Sequence, residues 1–241
     1  MNVHDGFRKP HPGGDAPPHE TRQAMRKLVI SGLALLFIAL RCGDDSLAEE
    51  VAARAMKSEM RKVASFTAIE ASGSQEIRIT CRESRRVEIR GAGDTVPWIS
   101  TEVRNNTLVI AATKSIAGRR PVQVLVSAPD IEKITFSGSG EMHLVGVRND
   151  RIELVLNGSG QIHAAGETRS LTAQLSGSGD LNLKGLHAGR ARVTVSGSGS
   201  ADVYAVEELD AAISGSGDVT YYGNPVVVHR RVSGSGAITG N

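Results

Sequence analysis

The sequence predicts an all-β fold, a parallel β-helix whose coils are about 19 residues long. Three observations carry this expectation. A Gly-Ser-Gly triplet returns six times, at Gly138-Ser139-Gly140, Gly158-Ser159-Gly160, Gly177-Ser178-Gly179, Gly197-Ser198-Gly199, Gly215-Ser216-Gly217 and Gly234-Ser235-Gly236, with spacings of 20, 19, 20, 18 and 19 residues. Apolar residues alternate with period two on both sides of each triplet. Aromatic residues make up only 3% of the chain, which suits a narrow aliphatic bore.

Aligned on the first glycine, the positions two residues earlier are Phe136, Leu156, Leu175, Val195, Ile213 and Val232, and those four earlier are Ile134, Leu154, Ala173, Val193, Ala211 and Arg230. Six earlier stand Ile152, Leu171, Ala191, Leu209 and Val228. Four and six residues after it come Met142 and Leu144, Ile162 and Ala164, Leu181 and Leu183, Ala201 and Val203, then Val219 and Tyr221. Period two means two short strands per coil, each with one buried face. A helix would scatter these columns, and each mid-helix glycine would cost about 1 kcal/mol against alanine. Glycine fits a sharp corner, where positive φ and close backbone approach are needed. The residues just before each triplet, Ser137, Asn157, Ser176, Ser196, Ser214 and Ser233, form a column expected to satisfy corner backbone groups.

In chain order, residues 1–48 read as a leader and signal peptide. Residues 1–24 have no periodicity, and Met25 is a second candidate start. Arg26 and Lys27 precede the apolar run Leu28 to Leu40, short of the ~20 residues that span a bilayer. Ser46-Leu47-Ala48 offers a small-x-small cleavage site before Glu49. The rival is lipidation of Cys42, although Arg41 stands where lipobox sequences want a small residue. Residues 49–63 are expected to be a tether or a short helix, since Val51, Ala55, Met56, Met60 and Val63 fall on a helical stripe after the possible caps Asp44, Asp45 and Ser46.

Residues 64–241 are assigned to the β-helix, with 64–133 an irregular set of coils or a cap and 134–241 the regular repeats. Strands are expected at Phe66 to Ala71, Glu76 to Cys81, Arg86 to Arg90, Thr107 to Ala111 and Val122 to Ser127, with turns at Gly91 to Asp94, Asn105-Asn106 and Ala128 to Asp130. No separate cap is visible beyond Gly236. The last coil is therefore expected to be covered by its own final strand, by edge-to-edge self-association, or by another protein. A formal charge of +2 implies no nucleic-acid partner. Of the two cysteines, Cys81 alternates inward with Ile77 and Ile79 and reads as a buried, inert thiol.

The stretch Arg61 to Glu70, the segment Thr101 to Ile110, the Pro121 to Val126 strand and the Ser-Gly-Ser-Gly-Asp repeats together resemble the bacterial family called putative auto-transporter adhesin, head GIN domain. The resemblance covers residues 63–240. It implies a right-handed β-helix and an exported, often lipid-anchored protein of unknown activity.

Several patterns bear on chemistry. Glu141, Gln161, Asp180, Ser200, Asp218 and Ala237 follow the triplets, which separates Asp180 from Asp218 by two turns, roughly 9.6 Å. That lies near the carboxylate spacing of about 6.5 to 9.5 Å in inverting glycosidases, but no aromatic platform accompanies it; acids that keep a flat face soluble are the plainer reading. Gly-Ser-Gly-Asp is similar to the glycine-rich nonapeptide of calcium β-rolls, yet the period and the Asp position both differ, so no calcium site is assigned. His143, His163, Asn182, Asp202, Thr220 and Thr239 form an outward column. There two histidines one turn apart, beside Glu141, are a candidate metal site for a zinc- or copper-like ion, set against an exposed ladder of unrelated polar residues. Arg78, Arg82, Arg85, Arg86 and Arg90, with Arg119 and Arg120, make a cluster that either meets anionic lipid or is a solvated face. No nucleophile set, phosphate loop or paired-cysteine motif is present, and no cofactor is expected.

The reading that follows is a non-enzymatic, exported envelope β-solenoid that offers flat polar faces to a protein or an envelope glycan, in the periplasm or outer envelope, and touches membrane only through its signal or a lipid on Cys42. The alternatives are a polysaccharide-cleaving enzyme using Asp180, Asp218 and Glu141, and a periplasmic stress-sensing module.

Overall fold

A computed structural model describes residues 55–115 and 122–241. The leader, its cleavage site, Cys42, Arg119 and Arg120 lie outside the described residues. The described chain is a parallel β-solenoid of about five turns, with no α-helix. Four long strands, β9 (Glu141–Gly158), β10 (Gln161–Gly177), β11 (Asp180–Gly197) and β12 (Ser200–Gly215), each wrap almost one coil and pair in parallel with their neighbours.

Every coil has a leading arm after the triplet and a trailing arm before the next one. Leu154, Ala173, Val193 and Ala211 stack in register within the trailing arm, and all four are fully buried. The first glycines of the six triplets have φ between 119° and 154°. The third glycines serve closeness instead: a Cβ on Gly199 would stand 2.2 Å from the Gly179 carbonyl oxygen. The expected serine column is exposed. Main chain makes the corner bonds, as where Ser178 N–H donates to the Gly158 carbonyl at 3.0 Å and Ser198 N–H to Gly177 at 2.9 Å.

Between these arms lies a short middle arm that the columns do not reveal. Val147, Thr168, Leu186, Ala188 and Ala205 turn inward there. All of the shifts in register between coils also fall there, between Ala164 and Gly166, His163 and Ala165, and Leu183 and Arg190. The spacing of 18 to 20 residues is thus absorbed at one corner. A polar ladder closes it: the Thr168 hydroxyl donates to Asn149 Oδ1 at 2.8 Å, and the Asn149 amide donates to Asp130 Oδ1 at 3.1 Å and to the Ile131 carbonyl at 2.9 Å.

The N-terminal part is both coil and cap. β2 (Ala68–Gly73) and β3 (Glu76–Cys81) form a complete coil in which Gly73-Ser74-Gln75 replaces the triplet, with Gly73 in register with Gly138. Strands β6 (Thr107–Ala112) and β7 (Gln123–Ala128) pair in parallel on one side of this coil, and β8 (Lys133–Gly138) and β9 on the other. Beyond them β4 (Arg86–Ala92) joins β7 antiparallel, and β5 (Ile99–Arg104) joins β6 through an Asn105-Asn106 turn with both residues at positive φ.

The residues read as a tether or helix instead supply β1 (Met56–Arg61), antiparallel to β4. Of their apolar stripe Val63 packs against the core but Met56 and Met60 are exposed, whereas the charges of Lys57, Glu59 and Arg61 pair along one face of an edge strand.

At the other end β13 (Asp218–Tyr222) and β14 (Val227–Gly234) form the last coil, and β15 (Ile238–Gly240) pairs with β13. Arg230 occupies an inward column and hydrogen-bonds the Tyr221 hydroxyl while its guanidinium lies over that ring. A polar and aromatic pair therefore stands where other coils place aliphatics. Val226, Val227 and Val232 remain exposed beside it.

Candidate functional site

The leading arms align into one broad outer face with two columns of side chains. The first runs Gln123, Glu76, Glu141, Gln161, Asp180, Ser200, Asp218. The second runs Arg78, His143, His163, Asn182, Asp202, Thr220, Thr239. Buried Met142, Ile162, Leu144 and Ala164 lie between and beside them, so the pleat fixes which side chains face out.

Several carboxylates on this face are met by side chains or main chain of their own or the neighbouring rung. Gln123 Nε2 donates to Glu76 Oε2 at 2.8 Å and Arg78 Nε to Glu76 Oε1 at 2.6 Å. Burial pushes the Glu76 carboxyl up, but those hydrogen bonds and the charges of Arg78 and His143 outweigh it and hold it below its ordinary value. Ser200 Oγ donates to Asp180 Oδ1 at 2.6 Å, and Asp218 Oδ1 accepts the Ala237 N–H at 2.9 Å. Asp180 and Asp218 are therefore kept apart by Ser200 and hold the ladder together.

His143, His163 and Glu141 do come together. Nε2 of His143 lies 2.9 Å from Glu141 Oε1, and Nε2 of His163 lies 3.3 Å from the same oxygen. The rings stack with centroids 4.9 Å apart and planes 11° from parallel. As they stand, no group of three or more His, Cys, Asp or Glu side chains among the described residues could hold a metal ion.

A second ring pair was not legible in the spacing. His187 stacks on Tyr204 at 4.2 Å, because the register shift after Leu183 brings residues 17 apart into line. Lys184 Nζ lies 4.1 Å over the Tyr222 ring.

The arginine cluster resolves into separate local contacts. Arg78 pairs with Glu76, and Arg85 lies 5.9 Å over the Phe66 ring. Arg86 and Arg90 both donate at 2.6 Å to Glu88, which is 4% exposed and also accepts Ser58 Oγ from β1. Hydrogen bonds from Arg90 and Ser58 pull the Glu88 carboxyl from its ordinary 4.5 down to about 2. Its folded value lies below its unfolded one, so the network stabilises the cap above about pH 4.5 and loses that contribution as pH falls toward 2. Glu88→Gln is expected to lower hydrogen-exchange protection of β1 and β4 about tenfold at pH 7 and to flatten its pH dependence through that window. Protection unchanged from wild type would show that β1 is held by its backbone alone. Cys81 is buried in the bore, and burial, with the Asp130 charge, pushes its thiol up to about 11, as an inert thiol requires.

Such a structure defines an all-β parallel solenoid with ordered outer ladders. The chain belongs to the family described as putative auto-transporter adhesin, head GIN domain, whose model matches residues 65–225. Among solved structures it is similar to a putative adhesin from Bacteroides fragilis, with 21% identity, a TM-score of 0.60, and coverage of 79% of this chain and 99% of that one. It is also similar to a putative lipid binding protein from Parabacteroides distasonis, with 21% identity, a TM-score of 0.50, and coverage of 77% and 96%. At that identity the likeness shows the fold. Comparison with curated proteins gives no match.

Proposed function

We propose that this domain is a non-enzymatic, exported β-solenoid of the cell envelope that presents flat polar faces, adhesin-like, to an extended glycan or to another protein. The observation that carries the reading is the continuity of the leading-arm ladders, in register from Gln123 to Asp218 with one rung about every 4.8 Å. A rigid ruler of amides, hydroxyls and carboxylates suits a partner that is itself extended and repetitive. The hydrolase alternative asks Asp180 and Asp218 to act on a sugar between them, yet each is already bound to a ladder partner. Export through residues 1–48, to the periplasm or outer envelope, belongs to the proposal, with lipid on Cys42 as the anchored variant. Mass spectrometry of the mature N-terminus from membranes distinguishes the two.

Incubation of the purified protein with a panel of cell-wall and capsular glycans tests the function. Saturable retention without new reducing or unsaturated ends is the expected result. Cleavage that disappears in Asp180→Asn would replace this reading with the enzyme.

A further inference from the structure

We propose that His143, His163 and Glu141 bind a divalent late transition metal, with Zn²⁺ and Cu²⁺ the ions whose chemistry fits the donors. This goes beyond the presentation of contacts and does not depend on it. The two imidazoles stand in register on successive turns, β9 and β10, above a fully buried Met142 and Ile162. A sheet backbone thus fixes the spacing of the donors before any ion arrives.

Two features of the side chains then point to an ion. Both Nε2 atoms approach one carboxylate oxygen, at 2.9 and 3.3 Å. Donors bound to one tetrahedral zinc by bonds of about 2.0 to 2.1 Å stand about 3.3 Å apart, so two of the three donor separations already resemble those of a coordinated trio. His163 Nε2 is also buried, and its contact with the Glu141 oxygen at 3.3 Å does not have hydrogen-bond geometry. A metal bond would satisfy this nitrogen better than that contact does.

The third separation must close. Rings 4.9 Å apart and nearly parallel hold like nitrogens about that far from each other, whereas two ligands of one tetrahedral zinc stand about 3.3 Å apart. Rotation about the Cβ–Cγ bond of one histidine supplies the difference, and this torsion is a soft one for imidazole. The three side chains are 30%, 34% and 46% exposed, so water completes the coordination shell. Arg78, the next rung beyond His143, is held by Glu76 at 2.6 Å and leaves Glu141 to the histidines. Two imidazoles and one carboxylate favour Cu²⁺ over Zn²⁺ in affinity.

Calorimetric titration of the full chain with ZnCl₂ and with CuCl₂ tests the site. His4, His11, His19, His187 and His229 contribute the same background in every variant that leaves them intact. Wild type is expected to take up one equivalent more than His143→Ala or His163→Ala, and Glu141→Gln to bind that equivalent about tenfold more weakly or worse. His187→Ala, which removes a stacked ring elsewhere, is expected to keep the equivalent. Side-chain NMR of the wild type should show Zn²⁺ shifting the His143 and His163 ring signals together. Circular dichroism confirms that each variant is folded. Equal uptake by wild type and His163→Ala, or ring signals that do not move, would overturn the site.

Discussion

Replacing Gly177 by valine is expected to destabilise the protein by about 4 kcal/mol and to open the coils on both sides of that corner. Gly177 sits at φ 122°, where a β-branched residue is strained, and a Cβ built there would stand 2.4 Å from the Gly158 carbonyl oxygen. That oxygen accepts hydrogen bonds from Ser178 and Gly179, both at 3.0 Å, so relieving the clash breaks the bonds that join the two turns. The next turn repeats the contact, with Ser198 N–H on the Gly177 carbonyl. Ser178 points to solvent, and Ser178→Ala should stay within about 0.5 kcal/mol of wild type. Urea denaturation of both variants, with hydrogen exchange at residues 178, 179 and 198, measures the contrast. Near-equal stability of the two variants would show that the corner backbone has room to yield.

Phe136→Ala should cost a similar amount, about 3 to 5 kcal/mol, through a different cause. Its ring is fully buried, in register with the small Ala71 on one side and Leu156 on the other. The ring also reaches under the neighbouring corner, where a Cβ on Gly160 would meet it at 2.8 Å. Truncation leaves a cavity that the stiff ladders cannot collapse to fill. Because each coil touches only its neighbours, the loss of exchange protection should be concentrated in β2, β8 and β9, with β12 close to wild type. Uniform loss along the whole chain would mean that the coils melt as a single unit.

The repeats were readable because the inward columns of the two arms beside each triplet keep strict period two from coil to coil. Leu154, Ala173, Val193 and Ala211 declare their stack without any structure. The middle arm was hidden because its inward residues lie where coils gain or lose residues: Val147 and Leu186 stand nine residues after the first glycine of their triplets, but Thr168 stands ten after and Ala205 eight after. The first coil escaped because Gln75 stands in place of the third corner glycine, and because the chain leaves for β4 to β7 before the next triplet. β1 was misread as tether or helix since Met56 and Met60 are four apart, a spacing that an edge strand with two exposed methionines reproduces by chance. Within the site, the columns brought His143, His163 and Glu141 together. Sequence spacing did not reveal the commitment of Asp180 and Asp218 to Ser200 and Ala237, which depends on side-chain hydrogen bonds across turns. Nor did it reveal the hydrogen bond from Ser58 to Glu88, which required β1 to be recognised as a strand.

The layer formed by β6 and β7 lies outside the coil of β2 and β3, although it comes later in the chain. During vectorial synthesis β3 therefore emerges with neither lateral neighbour present, since β7 begins at residue 123 and β9 at residue 141. The opening coil is a vacancy filled twice from downstream, and its contacts close loops of about 40 residues or more, which is slow. Growth of the rod consequently runs backwards relative to translation, from the locally paired repeats toward the end that was made first.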